Sequence, residues 1–180
     1  MKPSTLRRAC LHRLEELRAQ GLDLPRPFDA RELCRRVGAA VGQPISLVAV
    51  PMPSGAPYGL TFFTDAGHIV AYERRTSRVH QDHIVAHELG HVLLGHRSFA
   101  LDDEAATRLL FPGLRPTMVH RVLNRDGAYT RAEEQEAEMM ATVLLEESGR
   151  HPGPSADRDL SPGDAALQAR LRHGLEHPTG

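Results

Sequence analysis

Leu6, Cys10, Leu14 and Leu17 recur three or four residues apart, and Gly21 follows them. That is the spacing of one helical face, and it predicts a helix over 4–19. Pro25 and Pro27 break the chain. Asp29 followed by Glu32 is a capping-box pattern, which predicts a second helix from about 30 to 41. The period then changes. "PISLVAVPM" is β-branched, bounded by prolines, and reads as a strand. "PSGAP" reads as a turn. "YGLTFF", "TDAG" and "HIVAYE" predict a β-hairpin of residues 58–64 and 68–73. A helix from about 81 to 96 follows, carrying "HIVAHELGHVLLGH". "DDEAATRLLF" and "RPTMVHRVLNR" read as shorter helices, with Pro116 near the first turn of the second. "TRAEEQEAEMMATVLLEESG" predicts a long helix from about 131 to 148, capped by Thr130 with Glu133 and ended by Gly149. Beyond it, "GRHPGPSADRDLSPGD" has the composition of a flexible tail, with a short amphipathic helix expected in "DAALQARLRHGLEH". The order gives an α+β domain over 1–149, a small sheet of about three strands packed on helices, and a tail over 150–180.

Composition narrows the class. A chain of 180 residues, 41% apolar, supports one domain with a real core. A net charge of −1, 4% aromatic residues and no Trp argue against direct nucleic-acid binding. Cys10 and Cys34 fall at apolar helix positions and read as small buried hydrophobes. The N-terminal stretch is charged and amphipathic, unlike a signal segment, and no apolar run approaches about 18 residues. A soluble, cytoplasmic protein is expected, with no membrane partner.

His87-Glu88-Leu89-Gly90-His91 matches H-E-x-x-H. Helix positions i and i+4 share a face, so His87 and His91 can aim two imidazoles at one cation. Glu88 lies about 100° round from His87, placed to act as a general base on a water without being a ligand. Apolar Ile84, Val85, Ala86, Val92, Leu93 and Leu94 flank the polar triplet. Polar groups in so apolar a helix need a compensating partner, and a metal ion provides one. Zinc, one per chain, is the expected ion; manganese and iron(II) also suit a two-histidine, one-glutamate site.

The third ligand is expected on a later element. A continuation H-x-x-G-x-x-H would need Gly at 94 and His at 97, where Leu94 and Arg97 stand. His96 falls about 180° round the helix from His87 and reads as an exposed or helix-end residue. On the later helix, with Glu136 set at zero, Val143, Met140, Leu144 and Ala137 fall between about −20° and +100°. Glu136 therefore lies in the apolar arc and is the expected ligand, with Glu133 in reserve; a buried ion pair to an arginine is the other role open to Glu136. Glu134 and Glu138 fall at about 160° and 200°, on the face expected to be wet. For a second donor to an oxyanion or substrate, Tyr129, His120, Tyr72 and His83 are candidates, and His68 could line a substrate groove. "HIVAYE", as an edge strand, would bind a peptide by strand addition.

These residues resemble the ImmA/IrrE family of metallo-endopeptidases over roughly 40–148. The resemblance rests on the "AHELGH" helix, the preceding hairpin, and a later helix with Glu136, Ala137, Ala141, Leu144 and Leu145. It implies a gluzincin-like zinc metallopeptidase fold, with His87, His91 and Glu136 as ligands and Glu88 as base. It also implies a helix-turn-helix repressor as substrate or partner, in stress or mobile-element regulation of transcription. The chain has no recognition-helix pattern of its own and looks closest to stand-alone regulator-type members. Glu138 stands where the family usually has Asn or Asp, and the usual Pro after the paired leucines is replaced by Glu146. The competing expectations are a metal-binding regulator that acts on a repressor by contact alone, and a toxin–antitoxin component.

Overall fold

The computed structural model describes residues 2–52, 57–64, 66–96 and 129–150. Helix α1, Pro3–Ala19, buries the predicted stripe Leu6, Cys10, Leu14 and Leu17. Helix α2, Ala30–Val41, starts at Asp29, whose side chain accepts from the Glu32 backbone N–H at 2.8 Å. Only this half of the capping box forms, because the Glu32 carboxylate turns to Arg35 and Arg36. Gly42, at φ 71°, ends the helix in the left-handed conformation that glycine adopts without steric cost.

Strands β1 (Ile45–Val50), β2 (Gly59–Thr64) and β3 (Gly67–Glu73) form one sheet in the order β1-β3-β2. The predicted hairpin is present: β2 and β3 pair antiparallel, Gly59 opposite Tyr72 and Thr64 opposite Gly67. β1 pairs parallel to β3, Ile45 opposite His68. "HIVAYE" is thus the central strand, paired on both sides, and the expectation of an open edge there is corrected. The reason lies in its composition. Val70 and Ala71 are both fully buried on opposite faces, Val70 in the main core and Ala71 in a smaller cluster with Val50, Met52 and Phe62. A strand apolar on both faces suits the middle of a sheet.

Helix α3, Arg78–Leu94, starts three residues before the predicted position because Ser77 caps it, accepting from the His80 N–H. Helix α4, Arg131–Glu147, carries the complete predicted capping box between Thr130 and Glu133. The main core joins Leu14 and Leu17 of α1, Leu33 and Val37 of α2, Val85, Leu89 and Leu93 of α3, and Met140, Val143 and Leu144 of α4. Ion pairs from α1 pin the far end of α4, Arg18 to Glu147 at 2.7 Å and Arg7 to Glu146 at 2.8 Å. Cys10 and Cys34 are buried and unpaired, and burial pushes the Cys34 thiol up to about 12.

The described part is therefore an α+β arrangement of four helices and a three-stranded sheet. None of the described helices is long and apolar enough to cross a membrane. Met1–Arg150 forms one compact unit. The two short helices expected between 102 and 125, His120, and the tail beyond Arg150 lie outside the described residues.

Candidate metal centre

Helix α3 carries His83, His87 and His91 four residues apart, on one stripe. Helix α4 carries Glu134 and Glu138, also four apart. The two stripes face one another and interleave. The Glu138 carboxylate lies 3.2 Å from His83 Nε2 and 3.4 Å from His87 Nδ1. Glu134 lies 3.3 Å from His87 Nε2 and 3.9 Å from His91 Nε2. The two Nε2 atoms of His87 and His91 are 3.1 Å apart.

Three donor atoms thus converge from His87, His91 and Glu134. A tetrahedral zinc with bonds near 2.0–2.1 Å sets its ligands about 3.3 Å apart. The two Nε2 atoms, 3.1 Å apart, and the Glu134 carboxylate, with one oxygen 3.3 Å from His87 and the other 3.9 Å from His91, offer a donor set that fits a divalent cation. The flanking contact fits as well. A histidine that ligates through Nε2 needs its proton on Nδ1, and for His87 the Glu138 carboxylate is there to accept it.

The structure brings a different carboxylate to the two imidazoles than the one expected from sequence. Glu134, not Glu136, stands beside the two imidazoles. Glu136 instead reaches His96 Nε2 at 3.1 Å, and Glu133 is held in the N-terminal cap of α4. Helix α4 has two buried faces where one was expected. Its large apolar residues Met140, Val143 and Leu144 pack into the core, while Ala137 and Ala141, both fully buried, form a second, small-residue face. Glu134, which is exposed as expected from the sequence, and the partly exposed Glu138 flank those alanines at helical spacing. The signal available in the sequence was the pair of alanines four apart with a carboxylate beside each, matched by Gly90 on α3. Glu138, read as outward, in fact supports His87.

His96, expected to be exposed, is 8% exposed. Its Nδ1 lies 3.1 Å from His91 Nδ1. Gly95, in the left-handed conformation at φ 73°, turns the chain back so that His96 returns toward the helix it follows. Tyr129 stacks on the His91 ring, with centroids 3.4 Å apart and planes 10° from parallel. Of the other candidates, His83 is held by Glu138, and Tyr72 packs against the main core. His68 lies edge-on to Phe63, at 4.7 Å between centroids.

Glu88 is buried and accepts a hydrogen bond from Thr61 Oγ1 of β2 at 2.7 Å. Burial raises its pKa to about 6, against the pull of His87 and Thr61. Strand β2 crosses so closely that a Cβ at Gly59 would lie 2.5 Å from Glu88 Oε1 and 2.7 Å from Ile84 Cγ2. His87 and His91 differ sharply. Burial opposes the charged form of both. For His87 the Glu134 and Glu138 carboxylates outweigh burial and raise its pKa to about 10. For His91, burial, His87 and His96 all act together to lower it to about 2, so its ring stays neutral. Partial burial opposes the charged form of Glu138, but His83 and His87 outweigh it and hold the carboxyl well below the usual carboxylate range. The result is a pair of carboxylates facing a neutral imidazole, an electrostatic setting that a cation favours.

A scan of protein-family models finds no match to this chain, and a search of curated proteins finds no relative.

Proposed function

We propose that this chain is a zinc-dependent endopeptidase, with His87, His91 and Glu134 as the metal donors and Glu88 as the general base. The observation that carries the reading is the convergence of three donor atoms beside a buried glutamate that is not one of them. Structural zinc sites are usually closed by four protein ligands, mostly cysteines, whereas catalytic sites use three and leave a position for water or substrate. Both cysteines of this chain are in the core instead.

A divalent ion held there would supply a Lewis acid for a peptide carbonyl and make water a better nucleophile at neutral pH. The protein's own residues do the rest. Glu88 takes the proton from the attacking water, a new C–O bond forms at the carbonyl carbon, and the C–N bond breaks as Glu88 hands the proton to the leaving amine. Thr61 holds the Glu88 carboxylate in place. Glu138 orients His87. Tyr129, stacked against His91, is the described candidate that touches a proposed metal donor, and we assign it the oxyanion role.

The substrate proposed is a helix-turn-helix repressor, cleaved to relieve repression, in keeping with the resemblance to the ImmA/IrrE family. The test is zinc content by elemental analysis of the wild type and Glu134→Ala, with cleavage of a candidate helix-turn-helix repressor. One equivalent of zinc, lost in Glu134→Ala together with cleavage, is expected. A folded wild type that takes up no metal under metal-replete conditions would overturn the reading and leave a regulator acting by contact.

A further inference from the structure

Helix α3 meets solvent along one line. From Asp82 to Leu93 every residue is buried except His83 and His87. The side of the helix that carries the proposed donor His87 is therefore its accessible side, and it leads back to the first turn of α3. His80 stands in that turn. It precedes His87 by seven residues, within about 20° of two full turns, so the two share a face about 10 Å apart. The Tyr58 ring lies against His80, with 5.3 Å between centroids and 42° between planes, and Thr76 Oγ1 is 2.8 Å from His80 Nδ1. Among the described residues, the exposed large apolar side chains are Tyr58 and Val79, and Val79 stands next to His80 in the same turn. We infer that Tyr58, backed by His80 and with Val79 in the adjoining position, is a specificity subsite that takes a bulky apolar side chain of the peptide substrate about three residues from the bond cleaved.

The spacing comes from the elements themselves. An extended chain advances about 3.3 Å per residue, so about 10 Å from the metal donors to the Tyr58 ring is about three residues. Strand β2 covers the same interval. Tyr58 immediately precedes it, and Gly59 and Thr61 lie against Glu88. The Tyr58 carbonyl accepts from the Glu73 N–H at 2.8 Å, so Tyr58, Leu60 and Phe62 pair with β3, and the main-chain groups of Gly59 and Thr61 point away from it. β2 is an edge of the described sheet, and no described residue bonds to those groups. An extended substrate running along this edge from Glu88 finds main-chain partners at Thr61 and Gly59 and then meets Tyr58.

The surface at that point selects the side chain. Tyr58 and Val79 offer apolar area, and the Tyr58 ring offers a face for stacking. An aromatic or aliphatic side chain placed there removes both surfaces from water, and a small side chain gains little of this. Tyr58 is not among the metal donors and does not hold Glu88. Its loss should change which peptides bind and leave the metal in place.

The subsite rests on the metal centre and the hydrolysis proposed above, and its test keeps them apart. Peptide hydroxamates anchor on a zinc ion through the hydroxamate group. Two series of alanine peptides, with the anchor at the C-terminal end in one and at the N-terminal end in the other, carry a single Phe walked over the first five positions from it. Their Kd is measured on the zinc-loaded full-length chain. In one series, Phe at about the third position is expected to tighten binding about tenfold over the all-alanine peptide, in line with one aromatic pair drawn out of water. Tyr58→Ala should remove that gain while zinc content and all-alanine binding stay as in the wild type, and Tyr58→Phe should keep it. A Phe walk with no preference near the third position in either series would overturn the subsite. So would a preference that survives in Tyr58→Ala. A Tyr58-dependent preference in a protein that cleaves no peptide would leave the subsite standing and overturn the hydrolysis. A chain that takes up no zinc would overturn both.

Discussion

Gly90 of α3 packs directly against Ala137 of α4. A Cβ at position 90 would lie 2.8 Å from the Ala137 carbonyl oxygen and 3.2 Å from its Cα. This close crossing brings Glu134 and Glu138 within reach of His87 and His91. Alanine normally stabilises a helix by about 1 kcal/mol over glycine. At position 90 it must push the helices apart, and overpacking of that kind costs about 1–3 kcal/mol. Gly90→Ala is therefore expected to lose stability in urea unfolding and to bind zinc more weakly. A variant more stable than wild type with unchanged zinc affinity would show that the crossing does not set the site.

The same crossing explains which parts of the molecule were legible beforehand. The helices, the hairpin and the caps at Asp29 and Thr130 follow from local chemistry, and so does the pairing of His87 with His91 one turn apart. The proposed third donor does not. Choosing between Glu134 and Glu136 requires knowing which face of α4 meets α3, and that depends on a glycine and two alanines whose small size carries little hydrophobic signal. The burial of His96 is not legible in the sequence for a related reason. Its position on an ideal helix is irrelevant once Gly95 ends that helix and turns the chain. The place of β3 in the sheet likewise depends on β1 pairing across a hairpin, a contact that local periodicity does not report.

Glu88→Gln should separate binding from chemistry. Glutamine keeps the size of the side chain and can still meet Thr61, but it cannot take a proton from water. The variant is expected to hold one equivalent of zinc and to lose turnover by about 10²–10⁴-fold, the usual contribution of a general base. Elemental analysis and a cleavage assay on the same preparation check this. Turnover close to wild type would remove Glu88 from the role of base.

Thr61→Val tests the contact that holds Glu88. The hydroxyl stabilises the charged carboxylate, so removing it disfavours that form and raises the Glu88 pKa above about 6. A base works only when deprotonated. The acid limb of the kcat/KM profile should therefore move to higher pH, by about one unit if the hydrogen bond contributes about 1.5 kcal/mol. Zinc content should not change. An acid limb at the wild-type position would mean that a group other than Glu88 controls it.

Zinc affinity itself should rise with pH, and the sign follows from the two histidines. His91, lowered to about 2 by burial and its histidine neighbours, is already neutral and releases no proton on binding. His87 is raised to about 10: burial opposes this, but the Glu134 and Glu138 carboxylates prevail. Below that pH an incoming ion must displace a proton from His87 Nε2, and the competition weakens as pH rises. Apparent affinity should therefore increase about tenfold per pH unit between pH 6 and 8, with about one proton released to solution per ion bound. Glu138→Gln removes one of the carboxylates that hold the proton. Its His87 pKa should fall, and the affinity should level off at a lower pH than in the wild type. Chelator competition at several pH values, with proton release followed in weak buffer, measures both quantities. A wild-type affinity independent of pH would mean that His87 already presents a free lone pair, and that Glu134 and Glu138 act on it through orientation alone.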